Sequence, residues 1–214
     1  MTKKIKKYFQ LVWLILLAIT MNGQLTSVTA QDAVSGLDYA PGLYYQFYDY
    51  SGEGNEFVPY KSYFDYAPDE AGIYQISVDN TGTTVSYVYQ IREDGIYELA
   101  YFPESYEQND FRYSEDATDG IEALFLPASL EVGTTFSRGY KADQDYVVTD
   151  ILAEFELEDI TYYNVVVIES TFETGEVQRY YYAPKIGEIY SEYVIDESMS
   201  FTTTINILRG PTYQ

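Results

Sequence analysis

The fold of this chain is decided by residues 74–95, which read YQISVDNTGTTVSYVYQIREDG. Apolar and aromatic side chains occupy every second position on both sides of a short turn, at Tyr74, Ile76, Val78, Val85, Tyr87, Tyr89 and Ile91. A period of two is typical of half-buried β-strands. Asn80-Thr81-Gly82 and Asp94-Gly95 stand where hairpin turns are needed, because Asn, Asp and Gly tolerate tight-turn backbone conformations. The stretch therefore predicts two antiparallel strands that lead into a third.

The same alternation recurs along the chain. It runs through residues 43–48 and 153–158, a third hairpin turn lies at Glu173-Thr174-Gly175, and further strands are expected near residues 121–126, 163–172, 178–183, 188–195 and 201–208. We expect an all-β fold, a single antiparallel meander of about 10–12 strands. Curling into a barrel or half-barrel, lipocalin-like in general shape, would protect the edge strands. The acidic interval 103–120 is expected to be a surface loop.

The N-terminal segment has the pattern of a secretory signal peptide. Four lysines at positions 3, 4, 6 and 7 precede an apolar run over residues 11–21, and Val28-Thr29-Ala30 offers a small-residue cleavage site. The run is shorter than the roughly 20 residues of a membrane span, although an uncleaved anchor remains an alternative. We expect cleavage between Ala30 and Gln31. The predicted domains are a signal peptide (1–30), a flexible mature N-terminus (31–41) and a single β domain (42–214).

Charge limits the partners of the mature protein. Removing residues 1–30 leaves 8 Lys and Arg against 34 Asp and Glu, a net charge of −26. That excess opposes nucleic acid, whose binding needs clustered basic residues. Gln31 and the absence of cysteine leave no site for a lipid anchor. We therefore expect a secreted protein with no membrane after cleavage, whose partner is a small amphipathic ligand, a peptide or a basic protein.

The absence of His and Cys excludes Ser–His–Asp and Cys–His catalysis and zinc sites built on N or S ligands. The prediction is a non-enzymatic protein without a cofactor. Only oxygen ligands remain, so a bound metal would be a hard cation such as calcium. The densest acidic group in a loop supplies the candidate calcium ligands, which are Glu115, Asp116, Asp119 and Glu122.

Tyrosine is the distinctive side chain, with 26 in the chain. Its ring is apolar along the body and polar at the tip, which suits a cleft for a sugar, a peptide or an amphipathic molecule. Tyrosine also simply fits a half-exposed pleated surface, and this interpretation stays open. The candidate ligand-binding residues are Tyr44, Tyr48, Tyr50, Tyr87, Tyr89, Tyr180 and Tyr182.

Two alternatives to a binding module remain. A carboxylate-based hydrolase of extracellular glycan needs two facing carboxylates across a Tyr-lined cleft, at least one of them buried. Glu154, Glu156 and Glu158 share one strand face, but we expect this face to be solvated. A structural cell-surface role is the third hypothesis, and no sorting motif at residues 209–214 supports it.

Two motifs carry a resemblance. They are LFLPASLEVGT at residues 124–134 and RYYYAPKIGEI at residues 179–189, with Tyr163-Asn164-Val165 between them. Residues 120–195 resemble uncharacterised exported β-sheet modules and lipoproteins of Gram-positive bacteria, here without the lipoprotein cysteine. The resemblance implies export and β-architecture, but no catalytic residues. The chain departs from it at Phe136, near a usual tryptophan, and at Lys185, where glycine is usual and a non-glycine residue is expected to avoid positive φ.

Overall fold

Almost all of the described chain is antiparallel β-sheet, which confirms the predicted fold class. The computed structural model describes residues 32–54, 56, 58–119, 122–139 and 143–212, so the predicted signal peptide lies outside the described residues. The described strands are β1 (Val34–Ser35), β2 (Tyr45–Glu53), β3 (Tyr60–Tyr66), β4 (Ile73–Asn80), β5 (Thr83–Arg92), β6 (Gly95–Phe102), β7 (Ala123–Pro127), β8 (Ser129–Leu130), β9 (Thr135–Arg138), β10 (Gln144–Leu157), β11 (Ile160–Thr171), β12 (Val177–Ala183), β13 (Gly187–Asp196) and β14 (Met199–Pro211). The described helices are a 3₁₀ helix (Gly36–Tyr39) and α1 (Glu115–Asp119).

Twelve of the described strands form one sheet, in the order β7-β6-β5-β4-β3-β2-β14-β13-β12-β11-β10-β9. Its strands follow the chain except where β14 pairs with β2, so two meanders are joined at that pair. The sheet is nearly closed into a barrel, and its edges are β7 and β9. Nε of Arg138 on β9 donates a hydrogen bond to the carbonyl oxygen of Phe125 on β7 at 2.6 Å. A side chain thus links the two edge strands.

The stretch that predicted the fold forms the hairpin β4–β5. Ile76 pairs with Tyr87 and Val78 pairs with Val85, as the alternation on both sides of the turn predicts. One face of the hairpin contributes Tyr74, Ile76 and Tyr89 to the main buried core. The opposite face is covered by the segment that follows β6.

The segment before β2 packs into the barrel core and differs from the flexible N-terminus predicted for residues 31–41. Tyr39 and Ala40 are buried, and the Tyr74 hydroxyl donates to the Pro41 carbonyl at 3.1 Å. Gly42 has a φ of +61°, and a Cβ there would lie 2.8 Å from Cδ1 of Ile76. Burial of the Tyr39 ring and these close contacts hold the segment in place.

Lys185 corrects one sequence-based expectation. Its φ is +59°, although a side chain was expected to keep this turn out of the left-handed region. Asp38 in the 3₁₀ helix compensates, because its carbonyl accepts from the Lys185 amide at 2.8 Å and its carboxylate pairs with Nζ. The packed N-terminal segment therefore holds Lys185 in the left-handed conformation, while Gly187 in the same turn has a φ of +98°.

The interval 103–119 lies over the outer face of β4–β6. Gln75, fully buried on β4, donates to the Asn109 carbonyl at 2.8 Å and accepts from the Phe111 amide at 2.8 Å. Phe111 stacks on Phe102 with ring centroids 4.2 Å apart. The predicted surface loop is thus anchored to the sheet and contains α1. Within the described residues, no helix has the length and apolarity needed to cross a membrane.

Candidate functional site

A cavity of about 320 Å³ lies on the inner side of the nearly closed sheet. Its floor includes Pro41 and Gly42, and its walls come from nine strands. Because side chains alternate between the faces of a strand, the strands that contribute more than one residue, β3, β4, β5 and β12, contribute residues two positions apart. The wall residues are Tyr50, Tyr60, Ser62, Ile76, Val78, Asn80, Tyr87, Tyr89, Glu98, Phe125, Arg138, Tyr180, Tyr182 and Glu188.

Arg138 stands among aromatic rings in this wall. It is only 7% exposed. Its Cζ lies 4.3–5.8 Å from the centroids of five rings, those of Phe125, Phe136, Tyr146, Tyr180 and Tyr182. Cation–π attraction of this kind offsets part of the cost of burying a guanidinium.

Two buried polar atoms at the cavity lack partners. Among the described residues, Nη2 of Arg138 and Oγ of Ser62 are buried without a hydrogen bond, and both residues line this cavity. The other two guanidinium nitrogens of Arg138 form hydrogen bonds. Nε donates to the Phe125 carbonyl, and Nη1 donates to the Tyr182 hydroxyl at 3.4 Å. An unsatisfied buried donor costs about 1–3 kcal/mol, more when it is charged. Such atoms in native proteins call for an explanation, which is strain, a catalytic role or a bound water or ion.

Two carboxyl groups share the cavity. Desolvation raises the pKa of Glu98 from its ordinary 4.5 to about 7, although nearby Arg138 lowers it. Desolvation likewise raises the pKa of Glu188 to about 7, against the lowering effects of Ser191, Arg138 and Tyr60. Both carboxyls are therefore largely protonated in mildly acidic solution.

Local irregularities of the sheet place these glutamates opposite inward-facing tyrosines. Glu98 pairs with Tyr89 directly after a register shift between β5 and β6. Glu188 pairs with Tyr182 directly after a shift between β12 and β13. A β-bulge changes which residues oppose each other and re-aims side chains near functional sites. The two shifts thus accompany the two carboxyl groups that line the cavity, Glu98 on β6 and Glu188 on β13.

The structure brings together five of the seven tyrosines predicted to contact a ligand. Tyr50, Tyr87, Tyr89, Tyr180 and Tyr182 line the cavity.

Tyr44 and Tyr48 do not line it, and both are buried in the packed core. The Tyr48 hydroxyl accepts hydrogen bonds from the backbone amides of Tyr44 and Tyr45 at 3.1 and 3.2 Å. Their role is therefore to hold the start of β2.

The acidic residues predicted to bind calcium do not converge in the described part of the chain. Glu115 and Asp116 are exposed on α1, and Glu122 forms a bidentate pair with Arg92 at 2.9 and 2.6 Å. The Asp119 side chain lies outside the described residues. Among the described residues no group of three acidic side chains has metal-binding geometry, and calcium binding stays a prediction. Glu154, Glu156 and Glu158 are exposed, as predicted.

A larger hollow of about 830 Å³ lies on the outer face, lined in part by Tyr63, Asp65 and Tyr106. Its most buried polar groups already have partners. Asp65 accepts hydrogen bonds from Ser77 at 2.5 Å and from Gln75 at 3.1 Å. None of the unsatisfied buried atoms of the described chain belongs to its lining residues. The inner cavity is therefore the stronger candidate.

Sequence reasoning missed Glu98, Arg138, Ser62 and Glu188. A usable signal exists for the first two, because each follows a buried apolar residue by two positions. Glu98 follows Ile96, and Arg138 follows Phe136. A charged residue in phase with a buried row is a candidate for an interior polar site.

No protein-family model, curated protein or solved structure matches this chain. The candidate site therefore rests on its own geometry.

Proposed function

We propose that this protein is a binding module that takes a small amphipathic molecule into the cavity of its nearly closed barrel. The observation that carries the proposal is the coincidence of a Tyr-lined cavity with the unsatisfied Arg138 and Ser62. Ligand pockets are typically apolar or aromatic concavities with a few placed polar groups. A cavity of about 320 Å³ lies at the small end of their range, roughly 300–1,000 Å³.

The tyrosines give the cavity flat apolar walls. Tyr50 and Tyr60 stack with centroids 4.2 Å apart, and Tyr87 and Tyr89 stack at 6.1 Å. Such walls accept a planar ring or the apolar face of a sugar. The carboxyls and Arg138 then fix the orientation of the polar end.

Calorimetric titration with 2-naphthol and with 4-nitrophenyl glucoside tests this proposal, because both join a planar apolar body to hydroxyl groups. Val78→Trp fills the cavity and should abolish binding. Thr161→Trp adds the same ring at an exposed position of β11 and should leave binding unchanged. If Val78→Trp binds either probe as tightly as the unsubstituted protein, the ligand site is elsewhere.

A carboxylate-based glycan hydrolase is the second candidate, and the cavity position of Glu98 and Glu188 favours it. Binding is preferred because both pKa values stand near 7, whereas the acid and base of a glycosidase are pushed apart. Release of reducing ends from extracellular polysaccharides tests the alternative. Glu98→Gln and Glu188→Gln should each then reduce the rate about 100-fold or more. A rate unaffected by both substitutions excludes these carboxyls.

We also propose that the protein is exported and cleaved after Ala30, on the strength of residues 1–30 alone. Expression of the full chain in a secreting bacterial host should yield protein in the medium that begins at Gln31. Ala30→Trp places a bulky residue at the small-residue cleavage position and should block processing. Cell-bound protein that retains its first residues would contradict cleavage and favour the uncleaved anchor.

A further inference from the structure

We infer that the molecule bound in the cavity carries a carboxylate or a similar anionic group that pairs with Arg138. This inference rests on the binding function proposed above and names the chemical class of its ligand.

Arg138 differs from the other buried or half-buried arginines of the described chain in having no carboxylate partner. Arg92, Arg112 and Arg179 each pair with a carboxylate, at 2.6, 2.8 and 2.7 Å. Arg138 is buried and forms no ion pair within the described residues, although the chain has 34 acidic residues. A buried guanidinium without a counter-charge is costly, and buried charges are normally paired. The missing counter-charge is what an anionic ligand supplies.

The carboxyls at the cavity do not supply it in mildly acidic solution. Glu98 faces Arg138 on β9 and Tyr87 and Tyr89 on β5.

Glu188 faces Arg138 together with tyrosines of β2, β3 and β12. These are Tyr50, Tyr60, Tyr180 and Tyr182.

Desolvation keeps both carboxyls protonated below about pH 7. The neutral phenols add no charge, so Arg138 leaves the cavity with one positive charge. Above pH 7 the two carboxylates reverse its sign. An anion is therefore favoured in acid and opposed in alkali.

The two cavity donors without a hydrogen-bond partner suit a ligand whose end group is anionic. Nη2 of Arg138 is a charged donor, and Ser62 on β3 offers a neutral one for a second polar group. Because Nη2 is buried, a neighbouring ring must turn aside when the ligand enters. The stacked tyrosines and the volume of about 320 Å³ suit a body of one or two rings.

The test uses 2-naphthoate and its neutral isostere 2-naphthamide, titrated by calorimetry into the full folded protein at pH 6.0 and 8.5. We expect naphthoate to bind about tenfold tighter than naphthamide at pH 6.0, the effect of one charged hydrogen bond. The preference should vanish at pH 8.5. Arg138→Gln should remove the preference at pH 6.0, and Arg179→Gln, which alters a paired, half-buried arginine, should leave it unchanged.

Arg138 also links β7 to β9, so its replacement can compromise folding. The double variant Glu98→Gln/Glu188→Gln keeps Arg138 and holds the cavity positive, and its preference for naphthoate should persist at pH 8.5. Equal binding of the two probes at pH 6.0 overturns the anionic ligand and leaves the binding function intact. Failure of naphthoate, naphthamide, 2-naphthol and the glucoside to bind overturns both.

Discussion

Replacement of Glu188 by Gln should flatten the pH dependence of stability. In the folded protein the pKa of Glu188 is raised from 4.5 to about 7. The unfolded chain loses this proton near its ordinary pKa, while the folded protein keeps it until about pH 7. Stability is therefore fully present below about pH 4.5 and falls as pH rises through 7. At about 1.4 kcal/mol per pKa unit, the loss is about 3 kcal/mol for this group.

Glu98 acts in the same direction, because its pKa is also raised to about 7. The carboxyls of Asp69, Asp110 and Glu122 act oppositely, since hydrogen bonds lower their pKa values. Their stabilisation is lost as pH falls through these lowered values. The free energy of unfolding should accordingly be highest near pH 4–5.

Urea unfolding followed by circular dichroism at pH 4.5, 5.5, 6.5 and 7.5 measures this dependence. The fall in unfolding free energy between pH 4.5 and 7.5 should be about 3 kcal/mol smaller in Glu188→Gln than in the unsubstituted protein. Glu156→Gln is the matched control, because it removes one carboxyl from an exposed position of β10. A fall that is equally steep in both variants would refute the reasoning, since general repulsion among acidic groups would then explain it.

Three further predictions concern the scaffold. Gly42→Ala should lower the unfolding free energy by about 1–3 kcal/mol in urea, because a Cβ at φ +61° would meet Ile76 at 2.8 Å. Tyr48→Phe should cost about 2 kcal/mol in the same assay, since two backbone amides lose their acceptor, and an unchanged midpoint would contradict that role. Gln75→Ala should expose residues 103–111 to limited proteolysis while the barrel stays folded, because their anchoring hydrogen bonds are lost; resistance equal to that of the unsubstituted protein would show other anchors to be sufficient.

Much of the sheet could be predicted from the sequence, because alternation and turn residues are local properties of the chain. The hairpin of β4 and β5 follows from the period of two and from Gly82, whose φ is +102°. The pairing of β14 with β2 joins residues about 150 positions apart, and no local pattern encodes it. The packed N-terminal segment escaped prediction for the same reason, since Tyr39 finds its acceptor at Asn164.

The candidate site was predictable only in its aromatic part. Tyr87, Tyr89, Tyr180 and Tyr182 share the inner face because alternation holds within each strand. Glu188 escaped because the register shift beside Tyr182 re-sets which residues face each other. The pKa of a carboxyl depends on how deeply it is buried, which only the folded arrangement of distant strands determines.

The acidity of the whole chain and the positive charge of its cavity are compatible because they act over different distances. The formal net charge of −22 comes mainly from exposed groups, whose field is screened beyond about 8 Å at physiological ionic strength. Inside the cavity, rings replace water around Arg138, so its charge is screened far less. Surface charge thus lowers the association rate of an anion. Its affinity for the cavity depends instead on Arg138 and on whether Glu98 and Glu188 are protonated. The number of acidic residues in a sequence therefore says little about the charge of the ligand that its interior selects.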